Sequence, residues 1–316
     1  MKKIIFDTDL GGDCDDVMAL DLLISADKAG ECALTGVTYS ADCRRSPACI
    51  YAILKYYGME RLPVGRAPIP DSVGKGIDDY ASLVADTFPS EDAPTYESAW
   101  DAVKLLRKLL AENGRSTVVV TGYLTNIAAL LKSGPDEYSP LDGAELVRSC
   151  VEEFAVMGGD FAHQDAVNPF PAGIDANGDL RPVPEWNIRE DIPAAQYVFD
   201  NSPVPVIVSP FGLGFNMMTG APMTAKGKGK APDSLAYIKH GCESGQHSWD
   251  PATALYGIYG AKPWFYRSAP GRVTVDGRGV TDFDTRAGGN ARVLGCAMTR
   301  EAIAADIDRL MMRLYD

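Results

Sequence analysis

Strand-like and helix-like segments alternate along most of this chain of 316 residues, and the alternation constrains its fold more than any other feature. Short apolar runs at residues 4–6, 118–120 and 206–208 lie between segments whose apolar residues recur at helical spacing. Successive βαβ units of this kind place parallel strands in one sheet with helices on both of its faces. We therefore predict an α/β fold with a mainly parallel central sheet flanked by helices.

Other segments refine this prediction. Residues 98–114 show helical spacing and end in a glycine, which predicts one long helix. Residues 271–284 alternate around a Gly-rich turn, which predicts a small antiparallel addition near the C-terminus. Residues 65–95 and 160–186 are rich in Gly, Pro and Asp, which favours long loops. We see no internal repeat and expect a single domain over residues 1–316.

Charge and cysteine content exclude several classes of function. The net charge of -13 argues against nucleic acid and against anionic membranes as partners. The first apolar run has three residues, too few for a signal peptide, and no run approaches a membrane span. Seven cysteines without a CxxC pair indicate reduced thiols rather than a disulfide framework. These features predict a cytoplasmic protein.

Five aspartates crowd the end of the first predicted strand and the start of the first helix: Asp7, Asp9, Asp13, Asp15 and Asp16. Carboxylates at a helix N-terminus gain from its free N–H groups, which accounts for one or two of them. It does not account for five, because like charges so close together repel. Hard oxygen ligands suit calcium or magnesium, so the cluster favours a metal site. For Asp7, structural hydrogen bonding at the strand end is an equal alternative.

A strand followed by Asp-x-Asp also opens phosphatases of the haloacid dehalogenase type, in which magnesium assists an aspartate nucleophile. That family needs a Ser or Thr after a second strand, a Lys and a later acidic pair. Thr121 can supply the first of these groups, but no convincing later constellation follows. The additional acids Asp13, Asp15 and Asp16 would then have no role. A magnesium phosphatase stays the competing hypothesis.

Four separated segments together resemble the nucleoside hydrolase family of the inosine–uridine-preferring type. They are DTDLGGDCDDVMAL at residues 7–20, VVVTGYLTNIAALL at 118–131, FAVMGGD at 154–160 followed by PEWNIREDIPAA at 184–195, and HSWDPATAL at 247–255. Their order and approximate spacing agree with the family. The resemblance implies a Rossmann-like nucleoside hydrolase fold and an N-ribohydrolase with a tightly bound calcium ion.

The resemblance also implies roles for individual residues. Asp9, Asp16 and Asp250 would be carboxylate ligands of calcium, and Thr125 would contribute its backbone carbonyl. Asp15 would be the general base that takes a proton from the attacking water. Cleavage of the N-glycosidic bond builds positive charge on the ribose, and a site rich in carboxylates stabilises that charge.

The resemblance extends to a sugar pocket, whereas the opening segment departs from the family pattern. The resemblance implies that Glu185 and Asn187 hold ribose hydroxyls and that Met157 lines the sugar pocket. The opening segment is two residues longer than the family's, with Asp13 and Cys14 interposed before the Asp-Asp pair. Asp13 is therefore a second candidate for the base or for a further ligand.

Several aromatic and polar residues are candidates for contact with the nucleobase that leaves when the glycosidic bond breaks, and two others are not. Trp249 stands where the best-known branch of the family has a His, and its ring can stack on a nucleobase. His247 is the candidate acid for the leaving base, and Asp179 is a weak match for an Asn that contacts substrate. Trp186 is expected to be a core anchor, and His240 is expected to be solvated.

The sequence thus supports three hypotheses. The first is a calcium-dependent enzyme that hydrolyses ribonucleosides, or related N-ribosides, to ribose and free base in purine or pyrimidine salvage. The second is the magnesium phosphatase. The third is a catalytically weak family member that binds ribosides or acts as an interaction protein. For the first hypothesis the partner is a small-molecule nucleoside or N-riboside, and the family resemblance implies a homodimer or a homotetramer.

Overall fold

The computed structural model describes residues 1–67, 78–162 and 182–316. In this part of the chain the strands of the main sheet are β1 (Lys2–Thr8), β2 (Cys32–Tyr39), β3 (Val64–Arg66), β4 (Trp100–Asp101), β5 (Ser116–Val120), β6 (Val151–Met157), β7 (Val206–Ser209), β10 (Phe265–Arg267) and β13 (Ala291–Cys296). Two short antiparallel pairs are formed by β8 (Met218–Thr219) with β9 (Gln246–His247) and by β11 (Arg272–Val275) with β12 (Thr281–Asp284).

The nine strands of the main sheet lie in the order β10-β13-β7-β6-β5-β1-β2-β3-β4. All neighbouring pairs are parallel except β10 with β13, which is antiparallel. The predicted α/β fold with a mainly parallel sheet and a small antiparallel part is therefore confirmed. The chain moves outward from β1 to β4 and then returns to β5 on the other side of β1. In open sheets, ligands bind at such a reversal, outside the carboxyl ends of the strands.

The helices of the described residues are α1 (Asp15–Lys28), α2 (Ser46–Tyr56), α3 (Ala81–Thr87), α4 (Ala102–Asn113), α5 (Thr125–Lys132), α6 (Gly143–Cys150), α7 (Trp186–Glu190), α8 (Ile192–Asn201), α9 (Phe211–Gly214), α10 (Ala221–Gly227), α11 (Pro232–His240), α12 (Trp249–Tyr259) and α13 (Arg300–Met311). A short 3-10 turn, Met312–Tyr315, follows α13. None of the described helices combines the length and the apolar character that a membrane crossing requires.

Strand β1 lies at the centre of the sheet because both of its faces are apolar. Ile4 and Phe6 pack on one face with Leu22 of α1, and Ile5 packs on the opposite face with Leu106 of α4. Each such side chain stabilises the fold by about 1.5–3 kcal/mol when fully buried. This double burial fixes the end of β1, and the turn that follows it, at the middle of the sheet edge.

Two predicted elements differ in detail. The helix expected over residues 98–114 begins at Ala102, because the Asp101 side chain accepts a hydrogen bond from the Lys104 N–H and caps it. The segment 65–95, expected to be a loop, contains the seven-residue helix α3. Most of the other expected loop lies outside the described residues. The single domain over residues 1–316 stays a prediction.

Candidate active site

An open cavity of about 450 Å³ lies where the sheet order reverses. Its size suits a small organic ligand. Five aspartates line it from three places in the fold: Asp9 after β1, Asp13, Asp15 and Asp16 around the start of α1, and Asp250 in the first turn of α12. The structure thus brings the predicted acids from the two ends of the chain to one place.

Three of these acids form a tight buried group, the carboxylate trio of Asp15, Asp16 and Asp250. One oxygen of each lies within 4.8 Å of the others, and the side chains are almost fully buried. Helices α1 and α12 pack together, so their N-terminal turns converge on the trio. The positive end of each helix dipole offsets part of the negative charge.

Hydrogen bonds fix the direction of each carboxylate. Asp16 Oδ1 accepts bonds from the hydroxyl of Thr8 and, at 3.2 Å, from the hydroxyl of Thr121. Asp15 Oδ2 accepts a bond of 3.0 Å from the N–H of Asp250. The side chains of Asp16 and Asp250 also lie within hydrogen-bond range of each other, so oxygens of all three acids meet in one small space.

Burial and mutual repulsion raise the pKa values of these acids. Burial raises the pKa of Asp16 to about 7, against the lowering effect of its bond from Thr8. Burial, with repulsion from neighbouring carboxylates, raises the pKa values of Asp9, Asp15 and Asp250 well above the usual range. The charged forms are thus costly without a positive partner. This donor set of carboxylates and nearby hydroxyls fits a hard divalent cation.

These shifts predict how stability depends on pH. In metal-free protein the pKa of Asp16 is about 7 when folded and about 3.8 when unfolded, so its stabilising effect is lost as pH rises toward 7. We expect the melting temperature in chelator to fall between about pH 4 and pH 7, and an added hard divalent cation such as calcium to raise it most at the higher pH. Thermal unfolding at both pH values measures this. A melting temperature that rises with pH in chelator would contradict it.

Asp9 and Asp13 line the same cavity outside the trio. Asp9 is half-buried, and repulsion from Asp16 contributes to its raised pKa. Asp13 is the more accessible acid, with a side chain 38% exposed. Its Oδ1 accepts a bond of 2.8 Å from the amide of Gln246. Both acids therefore border the cavity beside the trio, and their roles as ligand and as candidate base stay predictions.

The predicted sugar-binding residues form another wall of the same cavity. Glu185 Oε1 accepts a bond from Asn187 N–H at 3.0 Å, and its Oε2 accepts one from Gly159 N–H at 3.0 Å. The Asn187 amide donates to the carbonyl of Thr121 at 2.8 Å and to the sulfur of Met157 at 3.2 Å. Glu185, Asn187 and Met157 all line the cavity. Because these bonds tie the three residues together, the wall is held in place before any ligand arrives.

Aromatic rings form the third side of the cavity. Trp249 stacks on Phe211 with ring centroids 5.3 Å apart, and its indole N–H donates to the Phe211 carbonyl. His247 lies 5.0 Å from the Trp249 ring, and its Nδ1 accepts a bond from the Asn216 N–H. Trp186, expected to be a core anchor, is instead 44% exposed at the cavity wall. It packs against Arg189 rather than in the core, with the guanidinium 4.3 Å from its ring centroid.

Three of the sequence-predicted site residues are not among the residues that line the cavity. Of the described residues, the lining includes Thr121 and Trp249 but neither Thr125 nor His247, which lies beside Trp249. Thr125 begins α5, and its hydroxyl donates to Asp191 at 2.6 Å. Asp179 lies outside the described residues. Thr121 directly follows β5, and its contact with Asp16 was not predicted from the sequence.

The bond from Thr8 to Asp16 gives a testable prediction. If Asp16 is a metal ligand, we expect Thr8→Val to weaken binding of calcium about 10-fold to 100-fold, the usual effect of removing a hydrogen bond to such a ligand. The control is Thr38→Val. The hydroxyl of Thr38 donates a similar buried hydrogen bond to Asp7, which also accepts a hydrogen bond from the Asn126 amide. Calorimetric titration measures both affinities. Equal losses in the two variants would contradict a specific role for Thr8.

The model of the inosine-uridine preferring nucleoside hydrolase family matches residues 4–303. The chain belongs to this family. Membership confirms the predicted enzyme class, a hydrolase of N-glycosidic bonds. The comparison with curated protein sequences found no significant match.

Solved structures similar to this nucleoside hydrolase family member support the fold. The inosine-uridine preferring nucleoside hydrolase from Bacillus anthracis matches with a TM-score of 0.70 at 20% identity, over 99% of each chain. A plant nucleoside hydrolase, PpNRh1, matches with a TM-score of 0.68 at 20% identity, over 99% of this chain and 98% of that one. The type III effector protein XopQ, complexed with adenosine diphosphate ribose, matches with a TM-score of 0.65 at 17% identity, over 99% and 92%.

His240 is a site residue that the sequence prediction missed. It was expected to be solvated, but it lines the cavity with its side chain 24% exposed. Its Nδ1 lies 2.8 Å from Asp79 Oδ2, and its Nε2 lies 3.7 Å from Asp13 Oδ1. The only signal was its position at the end of a helix, two residues before Cys242.

Proposed function

We propose that this protein hydrolyses the N-glycosidic bond of ribonucleosides, or of related N-ribosides, to ribose and free base with the help of one calcium ion. The observation that carries the proposal is the carboxylate trio, which joins the first and last family motifs at the reversal of the sheet order. Family membership supports the reaction class, and the acids support the cation.

The residues that would hold calcium are Asp9, Asp16 and Asp250, with a threonine carbonyl. For this last ligand we propose Thr121 in place of Thr125, because Thr121 lines the cavity and already contacts Asp16. Calcium accepts six to eight oxygens in flexible geometry, which suits acids drawn from separate elements better than the strict octahedron of magnesium does. When bound, calcium supplies positive charge that orients the ribose diol and favours ionisation of a water molecule.

Asp15 is the proposed general base. The Asp250 N–H holds its Oδ2, which leaves the other oxygen to accept the proton of the attacking water. Burial and the neighbouring acids raise the pKa of Asp15, which strengthens it as a proton acceptor. Asp13, which is more exposed, is the alternative base. All of these carboxylates also stabilise the positive charge that develops on the ribose as the bond to the base breaks.

The other walls of the cavity would position the rest of the substrate. Glu185 and Asn187 are proposed to bind ribose hydroxyls, and Met157 to pack against the sugar. Trp249 is proposed to stack on the nucleobase. His247 is proposed as the acid for the leaving base: its Nδ1 accepts a backbone N–H, so in the neutral ring the proton sits on Nε2 and can be donated.

The stacking role predicts the effect of Trp249→Ala. Loss of one aromatic contact with a nucleobase costs about 1–3 kcal/mol, so we expect kcat/KM for nucleosides to fall about 10-fold to 100-fold. Steady-state kinetics on inosine and uridine measure this. Trp100→Ala is the control, since that ring is 39% exposed on an edge strand away from the cavity. Equal kinetics for wild type and Trp249→Ala would rule the stacking role out.

The proposed activity is tested by release of reducing sugar from a panel of purine and pyrimidine ribonucleosides. We expect release from at least one nucleoside, loss of release in excess chelator, and recovery on addition of calcium. Matching 2'-deoxynucleosides should react more slowly, because they lack one hydroxyl of the diol. Release that continues in chelator would contradict the calcium requirement, and no release from any member of the panel would contradict the activity.

A riboside-binding protein without turnover is the second candidate. It is favoured by one observation, that XopQ, a protein with this fold, was solved with adenosine diphosphate ribose. Tight calorimetric binding of a nucleoside with no reducing sugar released would support it. The magnesium phosphatase of the dehalogenase type is set aside, because the chain belongs to a different family.

We also propose a cytoplasmic role in purine or pyrimidine salvage, as a homodimer or a homotetramer. The partner in this role is the nucleoside itself, with no nucleic acid and no membrane. Light scattering coupled to size-exclusion chromatography tests the assembly. A monomer in that measurement would contradict the proposed oligomer.

A further inference from the structure

Two cysteines and a histidine meet beside the cavity, next to the carboxylate trio but distinct from it. Cys14 is fully buried directly before α1, and His240 and Cys242 flank Gly241 at the end of α11. One ligand atom of each lies within 4.8 Å of the other two. Gly241 adopts a φ of 82°, which favours glycine and lets the chain turn back so that the residues on both sides of it approach Cys14.

The imidazole of His240 is already oriented as a ligand. Its Nδ1 lies 2.8 Å from the carboxylate of Asp79, which places the ring proton on Nδ1. Histidines that bind metals commonly donate the second ring N–H to a carboxylate in this way. The other nitrogen, Nε2, therefore presents its lone pair. It lies 3.7 Å from Asp13 Oδ1 and 3.5 Å from the amide nitrogen of Gln246.

The dimensions of the group suit a tetrahedral ion. Zinc binds sulfur at about 2.3 Å and imidazole nitrogen at about 2.0–2.1 Å, so ligand atoms in a tetrahedron are about 3.6–3.8 Å apart. The observed atoms, all within 4.8 Å, need to close by about 1 Å at most. His240 and Cys242 are only half-buried, so their side chains have room for that movement.

We propose that Cys14, His240 and Cys242 form a second metal site, selective for zinc or a similar borderline-soft cation. Two thiolates and an imidazole select such ions, whereas calcium prefers the oxygen ligands of the trio. The fourth position is taken by Asp13, which already lies next to His240, or by water. Cys14 lies between Asp13 and Asp15, the two candidate bases. A metal bound here therefore links the end of α11 to the turn that carries both bases.

The proposal is tested with cobalt as a spectroscopic probe of zinc sites. The full-length protein is saturated with calcium, kept reduced with a phosphine, and titrated with Co²⁺. We expect one equivalent to give the ultraviolet thiolate-to-cobalt band and the strong visible bands of tetrahedral cobalt. One equivalent of zinc should abolish these bands, and further calcium should leave them unchanged. The readout needs no nucleoside turnover, so its failure is distinct from failure of the proposed enzyme activity.

Matched variants assign the ligands. Cys242→Ser and Cys242→Ala are expected to weaken cobalt binding at least about 100-fold, more than loss of a supporting hydrogen bond does. Asp79→Asn, which removes only the support of His240, should weaken it about 10-fold to 100-fold. Cys150→Ser, at a half-buried cysteine on α6, should bind as wild type does. Melting curves establish that each variant is folded.

Four results would overturn the proposal. They are no thiolate band in wild type, bands that persist in both folded Cys242 variants, bands that calcium displaces, and an equal loss in Cys150→Ser. Mass spectrometry of the protein kept with the phosphine supplies a fifth. A Cys14–Cys242 disulfide that persists there would show a redox pair in place of a metal site.

Discussion

Asp250→Ala is expected to lose the bound calcium and to lower kcat/KM for nucleosides at least about 1,000-fold. Asp250 is the one member of the carboxylate trio that comes from α12, and its removal leaves Asp15 and Asp16 without their partner across the site. A bound metal contributes several kcal/mol of transition-state stabilisation, and each 1.4 kcal/mol corresponds to about tenfold in rate. Elemental analysis after gel filtration measures calcium, and release of reducing sugar measures turnover.

The matched control for this variant is Asp142→Ala. Asp142 also begins a helix, α6, where its side chain accepts a bond from the Glu145 N–H, but it lies outside the cavity. We expect a loss of about 1 kcal/mol in the free energy of unfolding and no change in calcium content or turnover. Full calcium occupancy in Asp250→Ala would refute the ligand assignment.

Asp15→Asn is expected to lower kcat about 100-fold to 10,000-fold while calcium and nucleoside still bind, the size of effect that loss of a general base produces. The amide retains an oxygen that can accept the bond from the Asp250 N–H, so the packing of α1 against α12 is preserved. It cannot take a proton from water. Single-turnover kinetics and calorimetric titration separate the loss of chemistry from any loss of binding.

Asp13→Asn is the comparison that assigns the base. Asp13 keeps its bond from Gln246 as an amide and lies on the exposed side of the cavity. We expect its turnover to stay within about tenfold of wild type. A larger loss in Asp13→Asn than in Asp15→Asn would transfer the base role to Asp13. Loss of calcium from Asp15→Asn would make Asp15 a ligand.

The main features of the fold follow from local sequence patterns. A strand such as β1, apolar on both faces, can only be central, and the amphipathic segments between strands can only cover the sheet. The sheet order and the position of its reversal depend on long-range pairing, such as that of β5 beside β1, which no local pattern encodes. The predicted start of α4 was too early. The apolar spacing of a helix extends back to residue 98, but the structure has a short strand at Trp100–Asp101, and Asp101 caps a helix that begins at Ala102.

The acids of the site were predictable because their crowding is costly and needs a cation. The partners that orient them were harder to predict. Thr8 ends β1 and Thr121 directly follows β5, and only the fold places both hydroxyls on Asp16. Trp186 was expected in the core because large aromatics are usually buried, yet it lies at the cavity wall against Arg189.

The most direct test of the account is a crystal structure of Asp15→Asn grown with calcium and an intact nucleoside. The account predicts one ion between α1 and α12, with oxygens of Asp16 and Asp250 at about 2.3–2.6 Å and both hydroxyls of the ribose diol in its coordination shell. The nucleobase should lie against Trp249. An ion bound elsewhere, or a nucleoside bound away from the carboxylate trio, would contradict the account.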